Sequence, residues 1–357
     1  MKPLYALLLI QIFFLTKINA QFINPCLNFC SYDLRVPLSD VASQIAQDEL
    51  TYCKKVNNNC VTINKFDVLY SQNNCVPGQH INDCITDLSI LKIHVYYPTN
   101  INYLTCSLPA IILFHGGAFN ECGDYNDKGI REFGKKLAAR GFVVFNVNYR
   151  VGVLADPSYV PSSLNEANPL LHYVCAQQML AIYRALQDAR GAIRSIIAMQ
   201  NNNVLGTVQH PYKINVNNIF VGGISAGSLI ALCAAYYGTQ AKINDVFLDD
   251  GSHPISTSLG GIDPTDVYYA NPPASGLPAD DYFANLKGVI NCWGSLFVPT
   301  ANESNPLSFF AGQGYTLPPV VSFHGGLDTV FNYVSQGVYF SPTSLQYGSL
   351  FRRKIGV

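Results

Sequence analysis

The sequence has few charged residues: they make up 13% of its 357 residues, and the formal net charge is −1. It contains no run of more than three lysines or arginines, so we expect neither a nucleic-acid partner nor attraction to an anionic membrane surface. It also lacks Cys-x-x-Cys pairs and metal-ligand histidine spacings, so we expect no metal site, and nothing implies an organic cofactor. No internal repeat and no linker divides the chain. Apolar residues make up 49%, so one large domain with an ample core is predicted.

No segment is long enough to cross a bilayer stably. The longest apolar run, Leu4–Leu15, falls short of the roughly 20 residues that a spanning helix needs. Lys2 precedes this run and Lys17-Ile18-Asn19-Ala20 follows it, which is the charged, apolar and small-residue order of a secretory signal. We therefore predict a signal peptide over residues 1–20 and a secreted or periplasmic protein. An uncleaved membrane anchor is the alternative.

Cysteine is plentiful, with 11 residues, all beyond the predicted cleavage site. Because export would place them in an oxidising compartment, we predict disulfides among those in the first third of the chain, without assigning their pairing. Residues 21–88 are predicted to be a cysteine-rich N-terminal extension, with one helix from Leu38 to about Tyr52. Cys233, in a later apolar segment, is predicted to be a buried free thiol. The early cysteines are Cys26, Cys30, Cys53, Cys60, Cys75, Cys84, Cys106 and Cys122.

Strand and helix patterns alternate from residue 89 onward. This alternation predicts an α/β fold, a mostly parallel sheet with helices on both faces. The predicted strands cover residues 90–97, 109–114, 142–147, 218–224, 288–297 and 319–323. The predicted helices cover residues 130–140, 172–200 and 226–237, the first of them stopped by Gly141.

The longest predicted helix carries an apolar stripe at helical spacing that runs from Met179 to Ile197. Asp188 lies off this stripe together with three arginines, and we interpret these four as a structural ion-pair set. The arginines are Arg184, Arg190 and Arg194.

Residues 249–284 are rich in proline and glycine and interrupt the alternation. So long an irregular stretch favours a lid or a wall of a substrate cleft, and a plain surface insertion is the alternative. Several aromatic side chains in and after this insert could line a pocket or simply belong to the core. They include Tyr282, Phe283, Trp293, Phe309 and Phe310.

The most informative motif is Gly223-Ile224-Ser225-Ala226-Gly227, which follows a short apolar strand and opens an apolar helix. This order is typical of a nucleophile elbow, in which a strained turn exposes the serine hydroxyl. The backbone N–H of Ala226, at the N-terminus of the helix, would face an oxyanion that develops at Ser225.

Two other strand ends are expected to meet at the same edge, because ligand chemistry collects at the carboxyl ends of parallel strands. His115-Gly116-Gly117 offers backbone N–H groups in a flexible turn, and His324-Gly325-Gly326-Leu327-Asp328 offers a carboxylate. A carboxylate in that place can orient a histidine base.

Together these motifs resemble the α/β-hydrolase superfamily, and specifically carboxylesterases with a His-Gly-Gly-Ala-Phe segment. Asn148-Tyr149-Arg150 adds to the likeness with type-B carboxylesterases, while the His-Gly-x-x-Asp segment is similar to bacterial esterases and prolyl peptidases. The resemblance implies a hydrolase domain over residues 89–357 and a small-molecule ester as substrate. It implies that Ser225 is the nucleophile, Asp328 the acid, and that the oxyanion donors are Gly116, Gly117 and Ala226.

One element of that resemblance is missing, since no histidine follows Asp328. We therefore expect the domain to be incomplete at its C-terminus, truncated after the acid-bearing strand. The leading hypothesis is an exported serine carboxylesterase that forms an acyl-enzyme at Ser225. The alternatives are an inactive hydrolase-fold protein used in binding or adhesion, and a serine peptidase of the same fold. No oligomeric state is predicted.

Overall fold

The computed structural model of the protein describes residues 45–52, 54–56, 59–61, 91–99, 102–117, 119, 127–151, 169–248, 254–259, 261–262, 281–299, 309–310, 316–324, 339–341 and 345–347. Within these residues the strands are β1 (Ile45–Tyr52), β2 (Lys54–Val56), β3 (Asn59–Val61), β4 (Leu91–Pro98), β5 (Leu108–Phe114), β6 (Val143–Val147), β7 (Ile214–Ile224), β8 (Leu286–Cys292), β9 (Phe297–Pro299), β10 (Val320–Phe323), β11 (Tyr339–Ser341) and β12 (Leu345–Tyr347). The helices are α1 (Lys128–Ala138), α2 (Pro169–Asn201), α3 (Ala226–Tyr236), α4 (Gln240–Asn244) and α5 (Ser256–Leu259), with a 3₁₀ helix over Asp281–Asn285.

Seven strands form the central sheet, in the order β1-β4-β6-β5-β7-β8-β10. The five strands from β6 to β10 in that order run parallel to one another. Strand β4 is antiparallel to both of its neighbours, β1 and β6. The sheet is therefore mostly parallel, as predicted from the alternating pattern. From β5, the earlier strands lie on one side of the sheet together with β6, and the later strands lie on the other side.

Helices cover both faces of this sheet, as the burial of successive residues along β5 demonstrates. Ile111 and Leu113 point to the face where they pack with Ile130 and Leu137 of α1. The alternate residues Ala110, Ile112 and Phe114 belong to a second, larger cluster that includes α2 and α3. The prediction of an α/β-hydrolase fold, with helices on both faces of a mostly parallel sheet, is confirmed. The truncation that we expected after the acid-bearing strand stays a prediction.

Helix α1 shows how local sequence sets the element boundaries. The Asp127 carboxylate accepts a hydrogen bond from Gly129 N at 2.7 Å and so caps the first turn. Gly141, with φ of 89°, turns the chain out of the helix toward β6. The chain does leave the helix at Gly141, and α1 begins and ends two residues before the bounds predicted for it, residues 130 and 140.

The largest error of the sequence prediction lies at the N-terminal side. Residues 45–52, expected to be helical as part of the segment from Leu38 to Tyr52, form strand β1, which pairs antiparallel with the whole of β4. Tertiary pairing overrides the helical interpretation of this short segment. Strand β1 belongs to the central sheet although it lies within the predicted N-terminal extension, and the division of the chain at residue 88 stays a prediction.

Part of the predicted insert, expected to be irregular, forms short helices and packs into the core. Its described residues include α5 and the 3₁₀ helix, and Ile255 and Ile262 are buried in the main core. The other residues of 249–284 lie outside the described part, so the lid-like role stays a prediction. The strand predicted over residues 288–297 is two strands, because Trp293, with φ of 64°, interrupts it after β8.

Four of the aromatic residues named as pocket candidates are core residues. Each is at most 4% exposed. They pack against one another or against α3, and Arg190 of α2 lies over two of the rings. The four are Tyr282, Phe283, Phe309 and Phe310, and the core interpretation of them is confirmed.

Candidate active site

The turn between β7 and α3 has the backbone of a strained elbow. Ser225 adopts φ of 53° and ψ of −117°, a combination that residues with a side chain rarely adopt. Such a backbone costs on the order of 1–3 kcal/mol and persists only where its surroundings enforce it. Here Ser225 N donates to the Cys292 carbonyl at 2.7 Å, and Leu229 N donates to the Ser225 carbonyl at 3.1 Å. The predicted strand–turn–helix is present, and the catalytic role of Ser225 stays a prediction.

The two glycines of the motif are required by space. A Cβ atom on Gly227 would lie 2.1 Å from the Phe114 carbonyl oxygen, and one on Gly223 would lie 2.3 Å from the Gly227 carbonyl carbon. Both distances are far below van der Waals contact, and the obstructing atoms belong to the backbone. Strand β5, strand β7 and helix α3 therefore meet at this point only because two side chains are absent.

Ser228 ties the elbow to the neighbouring strand, a role that the sequence reading missed. Its buried hydroxyl accepts a hydrogen bond from Cys292 N at 2.8 Å and donates to the Gly223 carbonyl. A lone serine among alanines and leucines, one turn into an apolar helix, was the available signal. The tie holds β8 against the helix that begins at the nucleophile candidate.

The glycine-rich segment after β5 passes directly beside Ser225. A Cβ atom on Gly116 would lie 3.7 Å from Ser225 Cβ and 3.1 Å from the Ile224 carbonyl oxygen. Gly117 adopts φ of 121°, which favours glycine. Ala226 is buried at the first position of α3, where backbone N–H groups have no partner within the helix. The structure thus brings Gly116 beside Ser225 and Ala226, and the oxyanion role of Gly116, Gly117 and Ala226 stays a prediction.

His115 is part of the glycine-rich segment's support. Its Nδ1 lies 2.8 Å from the Gly116 carbonyl oxygen, an acceptor, so Nδ1 carries the proton and donates. The imidazole stacks on the Tyr149 ring at 4.0 Å between centroids, with 9° between the planes. It is 1% exposed. A histidine engaged in this way supports the loop and is poorly placed to serve as a base.

Tyr149 is the second residue that sequence reasoning did not assign to the site. Its hydroxyl donates to the His115 carbonyl at 2.6 Å, and burial raises the pKa of this phenol far above its ordinary value. The hydroxyl therefore stays a hydrogen-bond donor at any working pH. Asn148-Tyr149-Arg150 had served only as a family likeness, and nothing local in the sequence links it to His115.

Arg150 and Asp188 form a buried ion pair directly behind Tyr149. Asp188 Oδ2 accepts from Arg150 N at 2.7 Å and from Arg150 Nε at 3.0 Å. Burial raises the pKa of Asp188, and the adjacent Arg150 guanidinium opposes that shift. The ion-pair set predicted within the long helix gains a member from outside it: Arg150, from the segment after β6, donates to Asp188, and the nearby charge of Arg184 also lowers the pKa of Asp188. Arg184, Arg190 and Arg194 are buried.

The carboxyl ends of β7, β8 and β10 lie in one register. Ile224 pairs with Cys292, and Cys292 pairs with Phe323, so the next residues are Ser225, Trp293 and His324. Trp293 N donates to the Phe323 carbonyl at 2.9 Å and so continues this row. Asp328 lies outside the described residues, so its role as the acid stays a prediction. His324 is the described residue closest to it in sequence, at the same edge of the sheet.

The thiol nearest to the elbow does not compete with the serine. Cys292 is a free cysteine, and burial raises the pKa of its thiol to about 12. It is therefore protonated near neutral pH and a poor nucleophile. Cys233, predicted to be a buried free thiol, is confirmed as one. Among the described residues no group of three or more potential metal ligands occurs, and no helix there is apolar over a bilayer-spanning length.

Residues 93–183 match the family model described as BD-FAE, a match that extends from β4 into α2 and ends before Ser225. Among solved structures, the apo form of Thermogutta terrifontis esterase 2 is 18% identical over 70% of this chain and 71% of that chain, with a TM-score of 0.39. The butyrate-bound form of this Planctomycetes enzyme is 18% identical over 70% and 71%, with a TM-score of 0.37. Esterase Est22 is 19% identical over 55% of this chain and 40% of its own, with a TM-score of 0.31. No curated protein matches the chain. The fold of this chain is therefore assigned from its own strand order and helix placement.

Proposed function

We propose that the protein is a serine carboxylesterase that forms an acyl-enzyme at Ser225. The observation that carries this proposal is the strained Ser225 backbone, with φ of 53°, beside Gly116 and at the first turn of α3. Strain of this kind in a non-glycine residue collects at functional sites. The BD-FAE match over the preceding strands and the esterases among similar structures support the same class.

In the proposed reaction, Ser225 Oγ attacks the ester carbonyl carbon while a general base takes the hydroxyl proton. The carbonyl oxygen becomes an oxyanion that accepts hydrogen bonds from backbone N–H groups of Gly116, Gly117 and Ala226. Collapse of this intermediate breaks the bond to the alcohol, which leaves with the proton. Water then attacks the acyl-enzyme by the reverse sequence and regenerates Ser225. The proposed reaction, on a small-molecule ester, uses no metal and no organic cofactor.

Asp328 is proposed to orient the base and to stabilise its positive charge. The base itself is not assigned: His94 and His210 lie near β1, away from the elbow, and His115 supports the glycine-rich segment. If the acid role is right, Asp328→Asn lowers turnover by about 10⁴-fold with an unchanged fold, as for a triad aspartate. Turnover within tenfold of the parent would remove Asp328 from the mechanism.

The test of the nucleophile uses a fluorophosphonate probe and p-nitrophenyl acetate with the 357-residue chain. We expect labelling and a burst of p-nitrophenol, both abolished in Ser225→Ala. The matched control is Ser228→Ala, which removes a nearby buried hydroxyl and should reduce stability while keeping the label on Ser225. Labelling that survives Ser225→Ala would overturn the assignment.

A non-catalytic binding role is the second candidate, and one observation favours it: His115, the histidine next to Gly116, is 1% exposed and stacked on Tyr149, so it is poorly placed to act as a base. A folded, soluble chain that neither labels nor hydrolyses the ester, yet binds a non-hydrolysable ester analogue, would support this role. We further propose that the protein is exported, on the basis of the segment from Lys2 to Ala20. The N-terminus of protein recovered outside the cytoplasm tests this, with Gln21 as the expected first residue.

A further inference from the structure

We propose that Tyr149 and Asp188 are positioning residues for the oxyanion site, acting through the His115–Gly116 peptide. The juxtaposition is a continuous chain of contacts from α2, through Arg150 and Tyr149, to the carbonyl of His115. This inference rests on the proposed function, because it concerns the backbone donors of the same site.

The first step is the geometry of one peptide unit. The carbonyl oxygen of His115 and the N–H of Gly116 belong to the same planar trans peptide, so they point in opposite directions. Tyr149 Oη donates to that carbonyl at 2.6 Å. A hydrogen bond that holds the carbonyl therefore also sets the direction of the Gly116 N–H, a predicted oxyanion donor. It polarises the peptide as well, which strengthens the N–H as a donor.

The second step is the surroundings of this peptide, which restrict its movement further. The Tyr149 ring lies flat against the His115 imidazole at 4.0 Å, so ring and hydroxyl restrain the same residue. On the other side, a Cβ atom on Gly227 would lie 2.5 Å from the His115 carbonyl oxygen. The peptide is thus held between the Tyr149 hydroxyl and the α3 backbone.

The third step explains why Tyr149 is itself held in place. Asp188 accepts from the backbone N–H of Arg150 at 2.7 Å, and that N–H belongs to the peptide that joins Tyr149 to Arg150. The same carboxylate accepts from Arg150 Nε at 3.0 and 3.1 Å, and both residues are almost fully buried. Asp188 therefore anchors the segment after β6 at its junction with Tyr149.

The test compares Tyr149→Phe with Tyr236→Phe. Tyr236 is a matched control, because its buried hydroxyl also donates to a backbone carbonyl at 2.6 Å, that of Pro318, at a distance from the elbow. For Tyr149→Phe we expect kcat with p-nitrophenyl acetate and the rate of fluorophosphonate labelling to fall roughly tenfold, with KM within about twofold. Tyr236→Phe should leave all three within about twofold. Equal effects of the two changes would overturn the proposal.

A second measurement separates this proposal from the proposed function. Amide hydrogen exchange of Gly116 and Gly117 in the unliganded chain should rise roughly tenfold in Tyr149→Phe and stay unchanged in Tyr236→Phe. If the parent chain does not label at all, the esterase proposal fails, and the exchange result still decides whether Tyr149 holds the loop. Unchanged exchange would show that it does not.

The role of Asp188 is tested by combination. Asp188→Asn should raise the same two exchange rates, and the double variant with Tyr149→Phe should exceed neither single variant by more than about twofold, because both act through one peptide. Independent, multiplying effects would mean that Asp188 does not act through Tyr149. If Asp188→Asn fails to fold, Arg150→Lys replaces it, because this change keeps the charge and the backbone N–H but removes the Nε contacts. We then expect the exchange rates to stay near the parent values. An increase equal to that of Tyr149→Phe would contradict the anchoring by the backbone N–H.

Discussion

Ser225 is held in a backbone conformation that suits glycine better than serine, with φ of 53° and ψ of −117°. We therefore predict that Ser225→Gly is more stable than Ser225→Ala, by about 1 kcal/mol, because glycine relieves the strain that alanine retains. The difference in free energy of unfolding is measured by urea titration of the two variants, neither of which has the hydroxyl.

Ser195 provides a control at which the stability difference between the glycine and alanine variants should have the opposite sign. It lies within α2, so Ser195→Gly should be less stable than Ser195→Ala by about 1 kcal/mol, the ordinary helical difference. If glycine is the weaker choice at both positions, the elbow at Ser225 is not strained.

Cys292 gives a second prediction at the scale of one residue. Burial raises the pKa of its thiol from 9.0 to about 12, so between these values the unfolded chain loses a proton that the native chain keeps. The free energy of unfolding must then fall as pH rises above about 9, because the native state binds more protons. Between pH 7 and pH 10, the parent should lose about 1.4 kcal/mol more than Cys292→Ala. Identical pH dependence in both proteins would contradict this burial effect.

The sequence identifies residues whose role depends on their neighbours in the chain, and it misses residues whose partners are distant in the chain. The glycine–serine–glycine turn needs its residues at fixed spacing, so Ser225 and its two glycines could be located without a structure. Tyr149 acts on the His115 carbonyl through a contact across two strands, and no local pattern announces such a contact. The same reason hides Arg150 as a partner of Asp188, because the helical spacing indicates only the arginines of α2.

At the scale of elements, the parallel strands were predictable and β1 was not. Buried parallel strands read as continuous apolar runs, of which β5 and β6 are examples. Strand β1 mixes charged and apolar residues, and its conformation follows from pairing with β4. Its polar residues bind other parts of the chain instead of forming a helical face: Asp48 accepts hydrogen bonds from Tyr212 Oη at 2.7 Å and from His210 Nδ1 at 2.6 Å.

Asp48 should therefore matter more to stability than its neighbour Glu49. Asp48→Ala removes an acceptor shared by two side chains, and we expect a loss of about 2 kcal/mol in the free energy of unfolding. Glu49 makes only partly exposed ion pairs with Lys92 and His94, at 3.6 and 3.3 Å, so Glu49→Ala should cost less than about 1 kcal/mol. The two variants on one strand are compared by urea titration near neutral pH. Equal losses would show that the Asp48 contacts contribute little.

At the scale of the whole molecule, stability depends on the many cysteines as well as on the core. The described residues contain two free thiols, the buried Cys233 and the partly buried Cys292, and Cys106 is disulfide-bonded. Six of the other early cysteines lie within residues 21–88, a stretch that also contains polar segments such as Asn57-Asn58-Asn59. Disulfides that close loops in such a segment would each contribute about 2–4 kcal/mol by restricting the unfolded chain.

We therefore predict that the exported protein has about three free thiols. Eleven cysteines less the two free thiols leaves nine, an odd number, so full pairing of the others within one chain leaves at least one more free. Thiol counting with a maleimide in denaturant, on protein made in an oxidising compartment, measures this number directly. The same protein made in a reducing cytoplasm is the control and should unfold at lower urea concentration, because the N-terminal loops are then unconstrained. Seven or more free thiols in the exported protein would contradict the prediction, and they would also remove the main consequence that we draw from a secretory signal at residues 1–20.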